Sequence, residues 1–502
     1  MYIILRGHEY KYAVEQMLLT LFPEERPVYA DAPEGGDILR VSLSRGKRYA
    51  TAVARLTRNG RTAAGSARFA LREGMPRRDE VRLEQRIVKL SFYRAALAWG
   101  LEKPVWGSLT GVRPAKFFAG LVERDGMTPE AAERALVKVH GADPDRAALC
   151  ARAAAAAEKV RGSLAPEDVC LYIGIPYCPS RCAYCSFVSV DAPRMLKTIP
   201  AYLDALEREM EAAAAAAAAA GRRVISVYVG GGTPTTLSAE ELDRLLARVR
   251  ETFDLSACRE FTVEAGRPDT VTREKLAVLG RRGADRVSVN PQTMSDAVLS
   301  AIGRRHTAAQ VLDAAAMVKS QGGLAMNMDL IAGLPGDDPE SFRSTLEQVL
   351  ALSPENITVH TLALKKGSAF LTGGAALPDG KAVGAMLDAA REMLTGAGYG
   401  PYYLYRQKYM SGSFENVGWT RPGFENVYNI CIMEELCSIL AMGAGGSTKL
   451  VAPGGVVKRL MAPKYPREYL ERIDDTCAAK AGIRDFFAAG DPIRPDNRKE
   501  SE

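Results

Sequence analysis

The sequence predicts an α/β protein: a partial (β/α)6 barrel of the TIM type with an N-terminal α+β domain and a C-terminal extension. Three observations predict it. Between residues 166 and 400 short apolar strands alternate with helical stretches, and six β-then-α units in series give a parallel sheet with right-handed crossovers. Upstream, residues 1–75 show strand-like runs between tight turns, and residues 76–165 switch to a helical period. Downstream, residues 401–502 break the β/α rhythm. An open doubly wound sheet is the other arrangement with the same rhythm.

The elements follow in order. Asp37–Leu43, Arg48–Leu56 and Thr62–Leu71 read as an antiparallel β subdomain, because Arg45-Gly46-Lys47 and Asn59-Gly60 between them are hairpin-turn signals. Val81, Leu83, Ile87, Val88, Leu90, Phe92 and Leu97 then supply a helix stripe, and the loop Trp106–Pro114 interrupts this helical connector. An Ala-rich helix near Ala151–Val160 leads into the barrel. Its strands are expected at Val169–Ile175, Val224–Val229, Glu260–Val263, Arg286–Val289, Ala325–Leu330 and Asn356–Leu362. The helices between and after them are expected at Tyr202–Ala220, Ala239–Thr252, Arg273–Leu279, Ala308–Lys319, Pro339–Leu352 and Lys381–Leu394. Beyond them, Tyr402–Tyr409 is aromatic and basic, Glu434–Met442 reads as helix, and the residues after about Pro492 have the charged composition of a disordered tail.

Composition bounds the partners. With 47% hydrophobic and 25% charged residues over 502 positions, the chain has the makeup of a soluble protein of two or three domains. The apolar run Tyr2–Leu5 is too short for a signal peptide, and no segment approaches the ~20 apolar residues that span a bilayer. Nine cysteines, six of them scattered, suit a reducing cytoplasm. A net charge of +6 does not by itself point to nucleic acid. The N-terminal strands carry Arg45, Lys47, Arg48, Arg55, Arg58, Arg61, Arg68 and Arg72 without an interleaved aromatic platform, a pattern that favours a solvated sheet face over a surface for RNA or another anionic partner.

In a parallel barrel, chemistry collects at the carboxyl ends of the strands. Each predicted strand ends in, or carries, residues that a plain turn does not need. The first runs into Cys178-Pro-Ser-Arg-Cys182-Ala-Tyr-Cys185, the second into Gly230-Gly231-Gly232-Thr233-Pro-Thr, the third into Glu264-Ala-Gly-Arg267. The fourth ends at Asn290-Pro-Gln292, the fifth carries Asp329, and the sixth carries His360 followed by Lys365-Lys366. Three thiolates on one short loop can hold three irons of a 4Fe–4S cube and leave the fourth open to chemistry. A zinc site with a ligand from elsewhere is the other reading, although no second knuckle accompanies the motif. Consecutive glycines at Gly230–Gly232 allow close backbone approach to a ligand or simply a tight turn. Glu264 and Gln292 offer groups suited to a ribose or an amino acid, and an Asp329 carboxylate on an apolar strand needs a partner.

The CxxxCxxC after a first strand, with Gly-Gly-Gly-Thr-Pro-Thr after a second, resembles the radical S-adenosylmethionine (SAM) enzymes. Ile173–Phe187, Gly230–Thr235, Thr262–Asp269, Arg286–Thr293, Gly303–His306 and Asp329–Gly336 resemble, within them, the oxygen-independent coproporphyrinogen III dehydrogenase family. Glu264–Asp269, Asn290–Thr293, Trp106–Pro114 and Tyr402–Glu415 are most similar to its HemZ branch.

The resemblance implies a radical SAM barrel with a 4Fe–4S cluster on Cys178, Cys182 and Cys185. It implies SAM beside Tyr172, Gly230, Gly231, Gly232, Thr233, Glu264, Gln292 and Asp329, although Tyr172 can equally be a core aromatic. The implied reaction is reductive cleavage of SAM to methionine and a 5′-deoxyadenosyl radical. That radical takes hydrogen from a propionate β-carbon, and loss of CO2 and an electron leaves a vinyl group. Two such steps turn coproporphyrinogen III into protoporphyrinogen IX. Basic candidates for the substrate carboxylates are Arg267, Arg304, Arg305, Lys365, Lys366 and Arg406. The implied partners are a tetrapyrrole and an electron donor such as flavodoxin or ferredoxin, with no nucleic acid. Two positions depart from the best-studied members, Phe187 where they have a further cysteine and Gly174 where they have a histidine. Phe187 is shared with heme chaperones of the family, yet those have a C-terminal His-Asn motif, and no histidine follows His360 here. A heme-binding chaperone, or a radical enzyme acting on another tetrapyrrole, is the alternative.

Overall fold

A computed structural model describes the chain except residues 30–34, 186–189, 192–194, 364–376, 408–410, 453–455 and 490–502. Phe187, Lys365, Lys366 and the charged tail therefore lie outside the described residues. The chain divides into two compact units, Met1–Ala151 and Arg152–Glu502.

The first unit is built on a mixed sheet rather than a purely antiparallel one. Strands β1 (Tyr2–Arg6), β2 (Val28–Tyr29), β3 (Ile38–Arg45), β4 (Tyr49–Arg58) and β5 (Arg61–Ala70) lie in the order β2-β1-β3-β4-β5. β1 runs parallel to β2 and β3, while β3, β4 and β5 form the expected meander. The parallel pairing needs a crossover, and helix α1 (Lys11–Leu21), absent from the sequence reading, provides it. Asn59 and Gly60 both have positive φ, which the tight β4–β5 hairpin requires and an Asn-Gly pair tolerates. Helix α2 (Arg77–Trp99) covers the sheet, burying Ile87, Val88, Phe92, Ala95 and Ala96 against Ala52, Ala54 and Leu56. A Cβ at Gly65 of β5 would stand 2.3 Å from the Ala95 amide nitrogen, so glycine there lets the helix lie directly on the strand. Helices α3 (Pro114–Glu123) and α4 (Pro129–Lys138) follow, and α5 (Pro144–Arg161) begins in this unit and ends in the next.

In the second unit six parallel strands stand in sequence order. They are β6 (Asp168–Ile175), β9 (Arg223–Gly231), β10 (Glu260–Glu264), β11 (Arg286–Ser288), β12 (Ala325–Ala332) and β13 (Asn356–Thr361), each paired with the next. Two-residue strands β7 (Tyr177–Cys178) and β8 (Val190–Asp191) lie in the loop after β6. The crossover helices are α6 (Ile199–Ala219), α7 (Ala239–Thr252), α8 (Arg273–Arg281), α9 (Asp296–Ala301) with α10 (Ala308–Gln321), and α11 (Pro339–Ala351), followed by α12 (Gly380–Gly396). Sequential order identifies the singly wound, barrel-type arrangement, because a doubly wound sheet reverses its strand order at a switch point.

The C-terminal extension lengthens this sheet at both edges. β14 (Gly400–Tyr405) and β15 (Asn416–Thr420) add antiparallel strands beside β13. Beyond β6 come β16 (Ser438–Met442), parallel to it, then antiparallel β17 (Ser447–Ala452) and β18 (Val456–Met461). The single helix expected at Glu434–Met442 is instead the end of helix α13 (Val427–Glu434), a turn, and β16. Glu435 at φ 57 stops the helix, and every residue of β16 is buried. Such an apolar run fits a buried strand as well as a helix, and its partner β6 decides.

No helix among the described residues is long and apolar enough to cross a membrane.

Candidate active site

The loops after the six strands place most of the predicted polar residues at one end of the sheet. Cys178, Cys182 and Cys185 are all half-buried and none is in a disulfide. Two braces fix the loop that carries them. Arg267, 3% exposed, donates to Ser180 Oγ at 2.8 Å and pairs with Asp269 at 3.0 Å. Arg304, 8% exposed, donates to the carbonyls of Asn290 (2.7 Å) and Gly266 (3.3 Å) and to the Tyr184 hydroxyl at 3.0 Å. Burial works against that guanidinium's charge, but the neighbouring Tyr184 and Cys182 outweigh it and raise its pKa. The Ala183 amide also donates to Ile302 O at 3.0 Å.

The glycine loop closes against the segment leading to Cys178. Gly232 N donates to Ile175 O at 2.7 Å, Thr233 N to Tyr177 O at 2.8 Å, and buried Thr233 places Oγ1 3.5 Å from Cys178 Sγ. A Cβ at Gly232 would meet Tyr177 O at 2.6 Å, and one at Gly230 would meet Glu264 Oε2 at 3.1 Å. The glycines thus bring two of the chain's own mouth loops and a carboxylate together.

Glu264 ends β10. The Tyr228 hydroxyl donates to its Oε1 at 2.5 Å. Burial above all, with the nearby Asp329 charge, pushes the Glu264 carboxyl from 4.5 up to about 7. Asp329 goes the other way. Burial opposes its ionisation, but His360, Asn327 and Thr358 prevail and hold its pKa below the usual value. Asn327 Nδ2 donates to Asp329 Oδ1 at 2.9 Å, and His360 Nε2 lies 3.8 Å from Oδ2. Gln292 is buried with φ 69, in a bridge pairing with Leu330, and its Oε1 has no hydrogen-bond partner among the described residues. Asn290 Oδ1 is in the same state.

Tyr172 is one of three stacked rings, with centroids 6.4 Å from Tyr228 and 6.2 Å from Tyr428; Tyr228 and Tyr428 are 4.5 Å apart. Sequence reasoning missed Tyr228 and Tyr428. A signal for the first existed: Tyr172-Ile-Gly174 and Tyr228-Val-Gly230 repeat one pattern, and Tyr172 pairs with Tyr228 in register. Tyr428 comes from the extension, which no barrel periodicity reveals.

The basic candidates separate. Arg267 and Arg304 are buried braces, and Arg406 is buried with its guanidinium on Ser413 O at 2.8 Å, burial lowering its pKa to about 10. Arg305 is exposed. It lines a cavity of about 610 Å³ with Ser180 and Arg181 of the cysteine loop, Arg304 and His306.

Three thiols on one loop are a suitable donor set for a cube with one open iron. Orphaned acceptors at Asn290 and Gln292 call for donors that an amine and ribose hydroxyls would bring. The residues present fit a 4Fe–4S cluster with SAM.

A sheet wound in sequence order, with three thiols and a glycine loop at one mouth, defines the class of radical-generating barrels. The sequence profile described as the Radical SAM superfamily matches residues 172–349. The chain is 38% identical over 378 residues to the oxygen-independent coproporphyrinogen-III oxidase-like protein HemZ of Bacillus subtilis, covering 74% of this chain and 75% of that one. It is 30% identical over 304 residues to the heme chaperone HemW of Haemophilus influenzae, covering 60% and 75%. Among solved structures, coproporphyrinogen III oxidase (HemN) from Escherichia coli matches with a TM-score of 0.51 at 24% identity over 64% of this chain and 73% of that one, a likeness of fold. The chain belongs to the radical SAM superfamily, in the family of the HemZ coproporphyrinogen-III oxidase-like protein. Membership implies a 4Fe–4S cluster and SAM.

Proposed function

We propose that this protein is a radical SAM oxidoreductase that decarboxylates two propionates of coproporphyrinogen III to vinyl groups. The observation that carries the reading is the cavity of about 610 Å³ directly beside the cysteine loop, whose lining sets Arg181, Arg304 and Arg305 against a single acid, Asp296. A substrate with four carboxylates needs such a chamber next to the site of radical formation. When bound, the cluster and SAM supply the one-electron cleavage that yields the hydrogen-abstracting radical.

The chain's residues do the rest. Cys178, Cys182 and Cys185 hold the cluster, while Arg267 and Arg304 keep their loop in place. Gly230, Gly231 and Gly232 offer backbone carbonyls to the SAM amine, beside Thr233. Gln292 Oε1, Glu264 and Asp329 accept from amine and ribose hydroxyls, and Tyr172 lies against the same mouth. Arg305, exposed in the cavity, takes a substrate carboxylate; Lys365 and Lys366 are further candidates, and Arg406 supports the extension. Flavodoxin or ferredoxin is the proposed class of electron donor, and the cytoplasm the proposed compartment.

Heme chaperones among the relatives favour a second reading, heme binding without turnover. One experiment separates the two. Anaerobically reconstituted protein is incubated with SAM, reductant and coproporphyrinogen III, and separately with heme. Protoporphyrin after oxidation supports decarboxylation. Stoichiometric heme binding with no vinyl product overturns it, and SAM cleavage without vinyl product points to another tetrapyrrole.

A further inference from the structure

Three of the remaining cysteines form a second thiol group, well away from the loop. Cys170 is the third residue of β6, Cys431 lies on α13, and Cys437 directly precedes β16. Their Sγ atoms all lie within 4.8 Å of one another, with Cys170 and Cys437 at 3.6 Å. All three are buried, at 0%, 0% and 7% exposure. The pairing of Ile439 with Cys170 fixes the register that brings Cys437 to the strand. From Cys170 to the end of β6 is about 16 Å at the ordinary strand rise, so this group and the cysteine loop sit at opposite ends of one strand.

The arrangement is more than three small side chains in a core. Thiols packed as apolar groups gain little from facing each other, since S–H is a weak donor and sulfur a weak acceptor. Here three separate elements direct sulfur toward one point, inside a shell of Ile225, Tyr428, Ile430 and Ile439. Thiolates bound tetrahedrally at about 2.3 Å from a zinc ion stand roughly 3.8 Å apart, close to the 3.6 Å between Cys170 and Cys437 and inside the 4.8 Å that bounds all three. A 4Fe–4S cube does not fit, because each cysteine then points outward from a different corner and the sulfurs stand farther apart.

We propose that Cys170, Cys431 and Cys437 form a structural site for a thiophilic divalent cation, Zn2+, that fastens α13 and β16 to β6. Binding releases the thiol protons to solvent and needs no oxidant or reductant. Since α13 carries Tyr428, the ion would also hold the ring that stacks on Tyr172 and Tyr228.

The test uses the full chain with the loop thiols removed (Cys178, Cys182 and Cys185 each →Ala), so that iron or zinc on the loop cannot contribute. Purified from zinc-supplemented cells, it should carry about one zinc per chain by mass spectrometry of the metal. Added Co2+ should replace the zinc with a thiolate-to-cobalt charge-transfer band. Adding Cys437→Ser or Cys170→Ser should abolish stoichiometric zinc and weaken the band, with circular dichroism confirming that each variant is folded. If a variant does not fold, the loop-thiol variant decides alone, through zinc content, the cobalt band and a count of reactive thiols after unfolding. No metal uptake with every thiol reactive overturns the site in favour of packing. Two thiols missing from the count overturns it in favour of a disulfide.

Discussion

Strand β10 begins and ends with a glutamate, and the two could hardly be used more differently. Glu260, at the amino end, is buried and accepts from Ser226 Oγ (3.0 Å), Arg286 Nη1 (3.1 Å), Val427 N (3.0 Å) and Tyr428 N (2.8 Å). Its charge is matched by an arginine and by the first amides of α13, where a helix favours an anion. Glu264, four residues on, has one side-chain donor, faces Asp329, and has its carboxyl pushed up to about 7 by burial. The difference teaches how to separate a structural carboxylate from a working one. A structural group has its acceptors filled by the fold, while a raised pKa beside open acceptors marks a candidate for the site.

The largest expected effect tests the mouth. Replacing Cys178, Cys182 and Cys185 by alanine should abolish the visible absorbance of the reconstituted cluster and all SAM cleavage. Because the three side chains are only half-buried, the unfolding midpoint of the cluster-free protein should change little. A collapse of the apoprotein would show that the loop is part of the core.

At the base, Glu260→Ala should leave Arg286, 7% exposed in the pair, without its partner. Breaking a buried pair of this kind costs about 3–5 kcal/mol, measurable as a large fall in urea midpoint. A loss under about 1 kcal/mol would erase the distinction drawn between the two glutamates.

Arg305→Ala should raise KM for the tetrapyrrole by about tenfold, the worth of one charge-assisted hydrogen bond of about 1.5 kcal/mol, with kcat less affected. Stability should stay within about 0.5 kcal/mol, since the residue is exposed. Unchanged KM would move the carboxylate site away from this cavity.

The remaining effect is a pH dependence. A carboxyl raised from 4.5 to about 7 in the fold holds its proton more tightly than in the unfolded chain. Between those values the native state binds more protons, so this group's contribution to stability falls as pH rises through that window and levels off above it. Denaturant midpoints of the Glu264→Gln variant should show a shallower fall than the parent over that range. Equal slopes would place the glutamate in an ordinary environment.

Much of the site was legible because it depends on short spacing. The CxxxCxxC and the glycine run lie within single loops, and strand ends can be counted from alternating apolar runs. The parallel β1 was not, since its pairing depends on α1 and on a strand more than thirty residues away. Nor was β16, whose apolar run suits helix or strand equally. Arg267 and Arg304 read as free cations in the sequence, but partners brought from other loops turned them into braces.

By itself, then, the sequence determined the six strand-and-helix units and the cysteine and glycine loops that follow the first two strands, because each is fixed by local periodicity or by residues a few positions apart. Only the tertiary structure decided that burial raises the carboxyl pKa of Glu264 and that Tyr428 joins the ring stack. It alone brought Cys170, Cys431 and Cys437 together across more than 250 residues of chain. Those outcomes depend on the strand register and on where the extension docks, which packing alone sets.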